Sequence, residues 1–234
     1  MRAMSDWRSF WDSEHSIYVN ARHKDVHYGE IAEQIAAFVP GPQARVLDFG
    51  CGEALHADRV AAVAGEVMLC DSAPSVRAAM AARFASNPRI KVLAPEDVDT
   101  LPDRGLDLVV MNSVVQYLTQ SELDRLLALW RLLLAPGGLL IVADVIPPDV
   151  GALSDVSALI RYAARHGFLL AALMGLARTA VSPYRKLRHQ LGIAQYTERE
   201  FMGKLTSAGF AAERLARNME HNPARMTFRA RASA

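Results

Sequence analysis

The sequence predicts an α/β protein with a doubly wound, mostly parallel sheet of seven strands. Two observations lead to this class. Short apolar runs alternate with helix-like segments over the first 145 residues, a rhythm typical of right-handed strand–helix–strand units and of a sheet covered on both faces. The 234 residues are 51% hydrophobic and 22% charged, which is enough apolar material for the packed core of one large domain.

The predicted elements follow in order along the chain. Residues 1–44 form an N-terminal segment with a helix over 26–38, and residues 45–234 form the main domain. A helix over 122–134 is expected to stop at the Pro-Gly turn signal that follows it. The seven predicted strands are 45–49, 66–70, 90–93, 106–111, 138–144, 210–216 and 224–232.

Residues 151–196 interrupt this alternation and are predicted to form a helical cap. They contain an apolar, helix-favouring tract from 153 to about 181. Residues 156–197 carry six Lys or Arg and no Asp or Glu, whereas residues 46–145 carry 13 acidic and 8 basic residues. The overall charge of +1 therefore conceals a basic, apolar cap on an acidic domain.

The last predicted helix follows the cap. Thr197 and the Glu200 that comes three positions later form a capping box, and Gly209 is the expected C-cap.

Composition argues against several classes of protein. Lys and Arg total 26 against 25 Asp and Glu, so no chain-wide field favours a nucleic acid. Cys51 and Cys70 lack CxxC spacing, which argues against a disulfide framework or a zinc site and suits a reducing compartment. The N-terminal sequence MRAMSDWRSFWDSEH has no apolar run of a secretory signal. We expect a cytoplasmic protein.

A glycine-containing turn joins the first predicted strand to the next helix. Gly50 and Gly52 would let the backbone pass close to a ligand there. A dinucleotide fingerprint would need a small residue at position 55, where Leu55 stands. Asp48 would repel a pyrophosphate but attract a cationic amino-acid group. The loop therefore predicts a cofactor that carries a positive charge.

The second predicted strand ends at Asp71, 19 residues beyond Gly52. In a doubly wound fold, a carboxylate at this place can accept both hydrogen bonds of a ribose diol. Together with the unfavourable setting for a pyrophosphate, this indicates a nucleoside-containing cofactor other than NAD or NADP.

Five segments in register resemble the class I S-adenosylmethionine-dependent methyltransferases of the small-molecule type. The resemblance covers residues 44–145 and continues more loosely to the C-terminus. The sequence departs from the family's glycine pattern at Ala54, which is small enough for a tight but intact loop. The matching segments are 46–54, Asp71, 97–102, 112–118 and 134–138.

The resemblance implies S-adenosylmethionine as cofactor, S-adenosylhomocysteine as product, and a Rossmann-like fold whose N-terminal segment partly covers the cofactor. Structural alternatives exist for two of the implied residues, because Asp97 can be a solvated loop acid and Asn112 a strand cap. Arg22 and Tyr18 are candidates to meet the cofactor carboxylate. The implied cofactor-binding residues are Asp48, Gly50 and Gly52 near the methionine part, Asp71 and Ser72 at the ribose, Asp97 and Val98 at the adenine, and Asn112 at the sulfonium.

Methyl transfer from a sulfonium is an in-line displacement that depends mainly on positioning, so we predict no metal. A base near the acceptor's proton would add to the rate, and histidine is the commonest choice. His27 and Tyr28, which lie in the N-terminal segment, are the predicted catalytic residues. The alternative for any single histidine is an ordinary surface or capping residue.

The predicted function is methyl transfer to a small, lipophilic or acidic organic acceptor. A nucleic-acid methyltransferase is the nearest alternative, but no Asn-Pro-Pro-Tyr/Trp motif follows the fourth strand and aromatic residues are sparse in the cap. The other alternative is a non-catalytic S-adenosylmethionine-binding regulatory protein.

The cap leaves three interpretations open. Its longest stretch free of Asp, Glu, Lys and Arg, residues 166–177, is shorter than the ~18–20 residues that span a bilayer. It can be a buried cap helix, the lining of a lipophilic acceptor pocket, or a helix lying on an anionic membrane surface.

Overall fold

A seven-stranded sheet forms the centre of the computed structural model, which describes residues 18–179 and 193–232. The strand order is β3-β2-β1-β4-β5-β7-β6. Strands β1 to β5 run parallel, and β7 is antiparallel to both β5 and β6. The predicted fold class is confirmed. The strands are β1 (Arg45–Phe49), β2 (Glu66–Cys70), β3 (Ile90–Leu93), β4 (Leu106–Asn112), β5 (Leu134–Val145), β6 (Phe210–Arg214) and β7 (Met226–Ala232).

Helices cover both faces of the sheet. The first helix begins earlier than predicted because the Asn20 side chain caps it by accepting the N–H of His23 at 2.8 Å. The described helices are α1 (Ala21–Phe38), α2 (Ala57–Ala61), α3 (Pro74–Arg83), α4 (Pro95–Val98), a 3₁₀ turn (Val115–Tyr117), α5 (Gln120–Leu133), α6 (Ala152–His166), α7 (Leu169–Thr179) and α8 (Glu198–Ser207).

Each face of the sheet has its own apolar core. On one face Trp130 of α5 and Phe201 of α8 pack against Phe228 of β7, and all three are fully buried. On the other face Ile35 of α1 and Met80 of α3 belong to a second buried cluster. The two cores fix the strands, so the carboxyl edge of the parallel strands is a rigid platform for a site.

The start of β5 differs from the prediction. We expected Pro136 and Gly137 to form a turn before a strand at 138, but β5 already begins at Leu134. Leu134 is buried and pairs with Leu106, and the ladder shifts register before Leu108 pairs with Leu139. The strand therefore absorbs the Pro-Gly pair as an irregularity near its start.

The helical cap consists of two described helices instead of one continuous tract, because α6 and α7 are separated at Gly167. Phe168 and Ala172 are buried with Val19 and Val26 of the N-terminal segment, apart from the sheet's two cores. The predicted basic residues Arg185, Lys186 and Arg188 lie outside the described residues. Within the described ranges, no helix is long and apolar enough to cross a membrane.

The chain rejoins the sheet after the cap. Tyr196 is buried in the core on the α5 and α8 face, and its N–H donates to the carbonyl of Ile146 at 3.0 Å. The predicted capping box at the start of α8 is confirmed: the Thr197 hydroxyl accepts the N–H of Glu200, whose carboxylate accepts the N–H of Thr197.

Candidate active site at the carboxyl edge of the sheet

The turn after β1 needs glycine for two reasons. Gly50 and Gly52 have φ angles of 76° and 58°, in the left-handed region that side chains rarely adopt. A Cβ atom at Gly50 would lie 2.4 Å from a methyl of Val114, and one at Gly52 would lie 2.5 Å from the hydroxyl of Tyr28. Ala54 also lies at positive φ, 43°, and the turn closes with alanine there.

Asp71 ties the glycine turn to the end of β2. Its two carboxylate oxygens accept the N–H of Gly52 and the N–H of Ala73, each at 2.9 Å. Burial raises the pKa of Asp71, and these hydrogen bonds oppose that shift. Asp71 thus fixes the glycine turn to the segment that follows β2.

Asp48 brings a second carboxyl group under the same turn. It lies in β1 with 8% of its surface exposed. Burial and the nearby Asp71 carboxylate raise the pKa of Asp48 to about 7. A buried acid with this setting gains most from a cationic ligand group.

The predicted adenine-binding segment has a structural role in addition. The Asp97 carboxylate accepts the N–H of Ala94 at 2.8 Å and so caps α4. Val98 is fully buried. Ser72 follows Asp71, and its carbonyl accepts a hydrogen bond from Arg77 at 2.9 Å. Ser72 thus follows the end of β2, and Asp97 and Val98 follow the end of β3.

Asn112, at the end of β4, is hydrogen-bonded to Glu220, a residue that the sequence-based prediction did not include. Its Nδ2 donates to Oε1 of Glu220 at 2.8 Å, while its buried Oδ1 has no partner among the described residues. The next residue, Ser113, has a φ of 57° and donates its hydroxyl to Asp144 at 2.8 Å. Backbone strain of this kind concentrates at functional sites.

Glu220 belongs to the β6–β7 loop (residues 215–225), which lies at the same edge. Since β7 runs antiparallel to β5, with Val145 opposite Met226, the loop before β7 meets the carboxyl ends of the parallel strands. In the sequence the loop appears only as a polar run between two strands, with Asn218, Glu220, His221 and Asn222, a pattern that surface loops share.

A histidine–carboxylate cluster forms where this loop meets α1. Oε2 of Glu220 lies 3.4 Å from Nδ1 of His27 and 3.7 Å from Nδ1 of His221. Burial alone would raise the pKa of Glu220, but the two histidines and the Asn112 amide lower it to about 2. The histidines and the Asn112 amide thus favour the charged form of Glu220, even though only 9% of its surface is exposed.

Aromatic rings surround this cluster. Tyr162 of α6 stacks on His221 with ring centroids 5.0 Å apart, and Tyr18 contacts His27 at 5.3 Å. His23 stacks on Phe168 at 4.8 Å. The cap and the N-terminal segment thus pack aromatic rings around the charged cluster.

The predicted N-terminal residues are divided between two places. The Tyr28 hydroxyl accepts the N–H of Glu53 at 2.9 Å, and Lys24 pairs with the Glu53 carboxylate, so α1 lies over the glycine turn. Arg22 instead donates to the carbonyl of His166 at 3.4 Å. That contact directs Arg22 to the cap and not to the glycine turn.

A buried ion network fastens the β6–β7 loop to its neighbours. Arg225 pairs with Asp144 at the end of β5 at 2.6 Å and with Asp155 of α6 at 2.8 Å. Asn218 also donates to Asp144, and Asn222 donates to Asp155. The loop that carries Glu220 is therefore held on the sheet side and on the cap side.

Comparisons with known proteins agree with this geometry. A family model described as a methyltransferase domain matches residues 46–138. An uncharacterized methyltransferase of Mycobacterium tuberculosis is 34% identical over 129 residues, or 54% of this chain and 61% of the relative. The chain thus spans about three fifths of the length of that curated relative.

Solved structures match over nearly the whole chain. The N-methyltransferase NodS from Bradyrhizobium japonicum, in complex with S-adenosylhomocysteine, superposes with a TM-score of 0.62 at 14% identity and covers 99% of this chain and 100% of its own. The DhpI complex with S-adenosylhomocysteine gives 0.61 at 16% identity, with 99% and 95% covered. At these identities the likeness concerns the fold.

The sheet order defines a doubly wound α/β protein, and the glycine turn and the acids Asp48 and Asp71 lie together at the carboxyl edge of its parallel strands. Residues 46–138, which include this turn and both acids, match the family model described as a methyltransferase domain, so this part of the chain is similar to that domain.

Proposed function

We propose that this protein transfers the methyl group of S-adenosylmethionine to a small organic acceptor and releases S-adenosylhomocysteine. The observation that supports the proposal is that the residues expected to bind the cofactor and those expected to face the acceptor are neighbours at the carboxyl edge of the sheet. The glycine turn and Asp71 adjoin Asn112, whose amide is bonded to the buried Glu220. Cofactor residues and a walled acceptor region thus share one edge.

The residues present fit the cofactor. Asp48 would meet its cationic amino-acid part, and Asp71 retains lone pairs for a ribose diol after accepting two backbone N–H groups. The unpartnered Oδ1 of Asn112 suits the polarised C–H groups of a sulfonium methyl. The cofactor supplies an electrophilic methyl group, and this chain's residues supply its orientation.

The acceptor region favours a planar or lipophilic molecule. Rings of Tyr18, His27, Tyr162 and His221 surround it, and the cap arginines Arg161 and Arg165 are exposed. The finer proposal is therefore an acceptor of the phenol or quinol type, whose O–H must lose a proton. Of the two predicted catalytic residues, His27 adjoins the charged cluster, while Tyr28 is engaged at the glycine turn.

The state of the two cysteines supports a cytoplasmic location for the enzyme. Cys51 and Cys70 are both free thiols, which suits a reducing compartment. A nucleic acid is a poorer acceptor for this site, because the Glu220 carboxylate lies among the aromatic rings and its charge would repel a phosphate backbone.

The test is release of S-adenosylhomocysteine from purified protein offered a panel of phenols, quinols and carboxylates. We expect turnover with at least one O–H acceptor, and a strong loss in Asp71→Asn. Asp99→Asn, at an exposed acid paired with Arg125, is the matched control. Cofactor binding without turnover on any acceptor would favour the regulatory alternative.

A further inference from the structure

The cluster of His27, Glu220 and His221 has the composition of a metal site. One ligand atom from each residue lies within 4.8 Å of the others. Two neutral imidazoles and one carboxylate are the donors of catalytic zinc sites, which keep a fourth position open. Two nitrogen donors also disfavour Mg²⁺ and Ca²⁺, because both ions prefer a set of oxygen ligands.

The distances between the candidate ligand atoms approach those found around a tetrahedrally bound metal ion. In a tetrahedral site with metal–ligand bonds of roughly 2.0–2.2 Å, ligand atoms lie about 3.3–3.5 Å apart. Oε2 of Glu220 is 3.4 Å from Nδ1 of His27 and 3.7 Å from Nδ1 of His221. The contact of Glu220 with His221 would need to shorten slightly, and the ligand atoms of the two histidines lie within 4.8 Å of each other.

The surroundings are those of a supported metal site. Glu220 points one oxygen at the histidines, and its other oxygen accepts from Asn112 at 2.8 Å, an outer contact that orients a ligating carboxylate. The Nδ1 atom of His221 is buried and has no hydrogen-bond partner within the described ranges. Stacking on Tyr162 holds the His221 ring in place.

We propose that His27, Glu220 and His221 bind one Zn²⁺ or a similar late first-row divalent ion, with the fourth position open toward the acceptor region. This departs from the sequence-based prediction that no metal is used. Metal binding itself follows from the cluster alone. Its use, to hold an acceptor oxygen beside the cofactor, rests on the proposed function.

The experiment is a titration of chelator-treated, tag-free full chain with Zn²⁺ in competition with a coloured chelator. We expect one equivalent to bind with micromolar or tighter affinity, and Mg²⁺ not to compete. His221→Asn and Glu220→Gln should each lower the affinity at least tenfold. His56→Asn, which removes another histidine paired with a carboxylate, Asp25 at 2.9 Å, should leave it unchanged.

A spectrum of the Co²⁺-loaded wild-type protein keeps the proposal testable if a variant fails to fold. Intense visible bands of a four-coordinate ion would support the site. Absence of stoichiometric Zn²⁺ binding, an octahedral Co²⁺ spectrum, or unchanged affinity in a folded His221→Asn protein would overturn it. The cluster would then be an ion pair that serves acid–base chemistry. None of these outcomes depends on methyl transfer.

Discussion

The side chain of Asp48, beside the glycine turn, is expected to make cofactor binding depend on pH. Burial and Asp71 raise the pKa of Asp48 to about 7, so Asp48 is mostly protonated in the free protein at pH 6. A cationic group beside it would lower this pKa, and binding would release a proton. Because the folded pKa is raised, the carboxyl group favours folding at low pH and loses that contribution as pH rises from about 4 to 7.

We predict that S-adenosylmethionine binding at pH 6 releases a measurable fraction of a proton and that binding at pH 9 releases none from Asp48. Calorimetry in two buffers of different ionisation enthalpy measures this directly. Asp48→Asn should abolish the buffer dependence at pH 6. Proton uptake, or identical enthalpies in both buffers for the wild type, would contradict the placement of the cationic group at Asp48.

Gly52 allows a second prediction with a matched control. Gly52→Ala places a Cβ 2.5 Å from the Tyr28 hydroxyl, whereas Gly137→Ala, at φ 78°, meets nothing within 4 Å. Both variants bear the backbone strain of about 1–2 kcal/mol. Only Gly52→Ala should also break the contact of Tyr28 with Glu53, at about 0.5–1.5 kcal/mol.

Urea unfolding of both variants measures this difference. Tyr28→Phe removes the hydroxyl, so Gly52→Ala in that background should cost no more than Gly137→Ala. If the Gly52 and Gly137 variants are equally destabilised in the wild-type background, α1 does not rest on the glycine turn as described.

At the level of secondary-structure elements, the position of the β6–β7 loop depends on one largely buried ion network. Arg225 is paired with Asp144 and Asp155, and the Asp144 side chain is 4% exposed. Arg225→Ala leaves that carboxylate uncompensated and should destabilise the fold by about 3–5 kcal/mol. Arg229→Ala, which breaks the exposed pair with Glu213, should cost about 0–1 kcal/mol.

Chemical denaturation at neutral and acidic pH tests this pair of variants. The deficit of Arg225→Ala should shrink at acidic pH, because Asp144 can then fold in its protonated form. A deficit that is small, or that does not change with pH, would show that the loop is held by packing instead of charge.

The sequence predicted the strands well because their runs are apolar and short. It located β1, β2 and β4 within a residue, since Val46, Leu69 and Val109 lie in runs buried from both sides. It missed the early start of β5 because the Pro-Gly pair is usually a turn signal, and here the burial of Leu134 outweighs it.

The candidate site could be predicted only in part. Asp71 and the glycines are close in sequence to the turn that positions them. Glu220 is more than 100 residues from Asn112, and nothing local marks it as buried. Only the antiparallel placement of β7 brings them together, so the acceptor side of the site required the tertiary fold.

For the chain as one folded unit, the proposed function assigns cofactor binding and acceptor positioning to different parts. The cap's buried residues cluster with Val19 and Val26, away from the two cores of the sheet, whereas Tyr196 belongs to the main core. Replacing residues 156–192 by a Gly/Ser linker should therefore leave the domain folded. Affinity for S-adenosylhomocysteine should change less than about tenfold, while methyl transfer is lost.

Circular dichroism and calorimetry check the folding and the affinity of this cap variant. Normal turnover in a folded variant without residues 156–192 would show that the acceptor is positioned by the N-terminal segment and the β6–β7 loop alone, without the cap.

For the whole molecule, calorimetric titration of the full chain with S-adenosylhomocysteine tests most directly whether the glycine turn and Asp71 form the proposed S-adenosylmethionine site. We predict one site per chain and at least a tenfold weaker affinity in Asp71→Asn, because charge-assisted hydrogen bonds to a diol contribute about 1.5–3 kcal/mol each. Asp99→Asn should bind like the wild type, and NAD should not bind. An unchanged affinity in a folded Asp71→Asn protein, or binding of NAD in place of S-adenosylhomocysteine, would contradict the account.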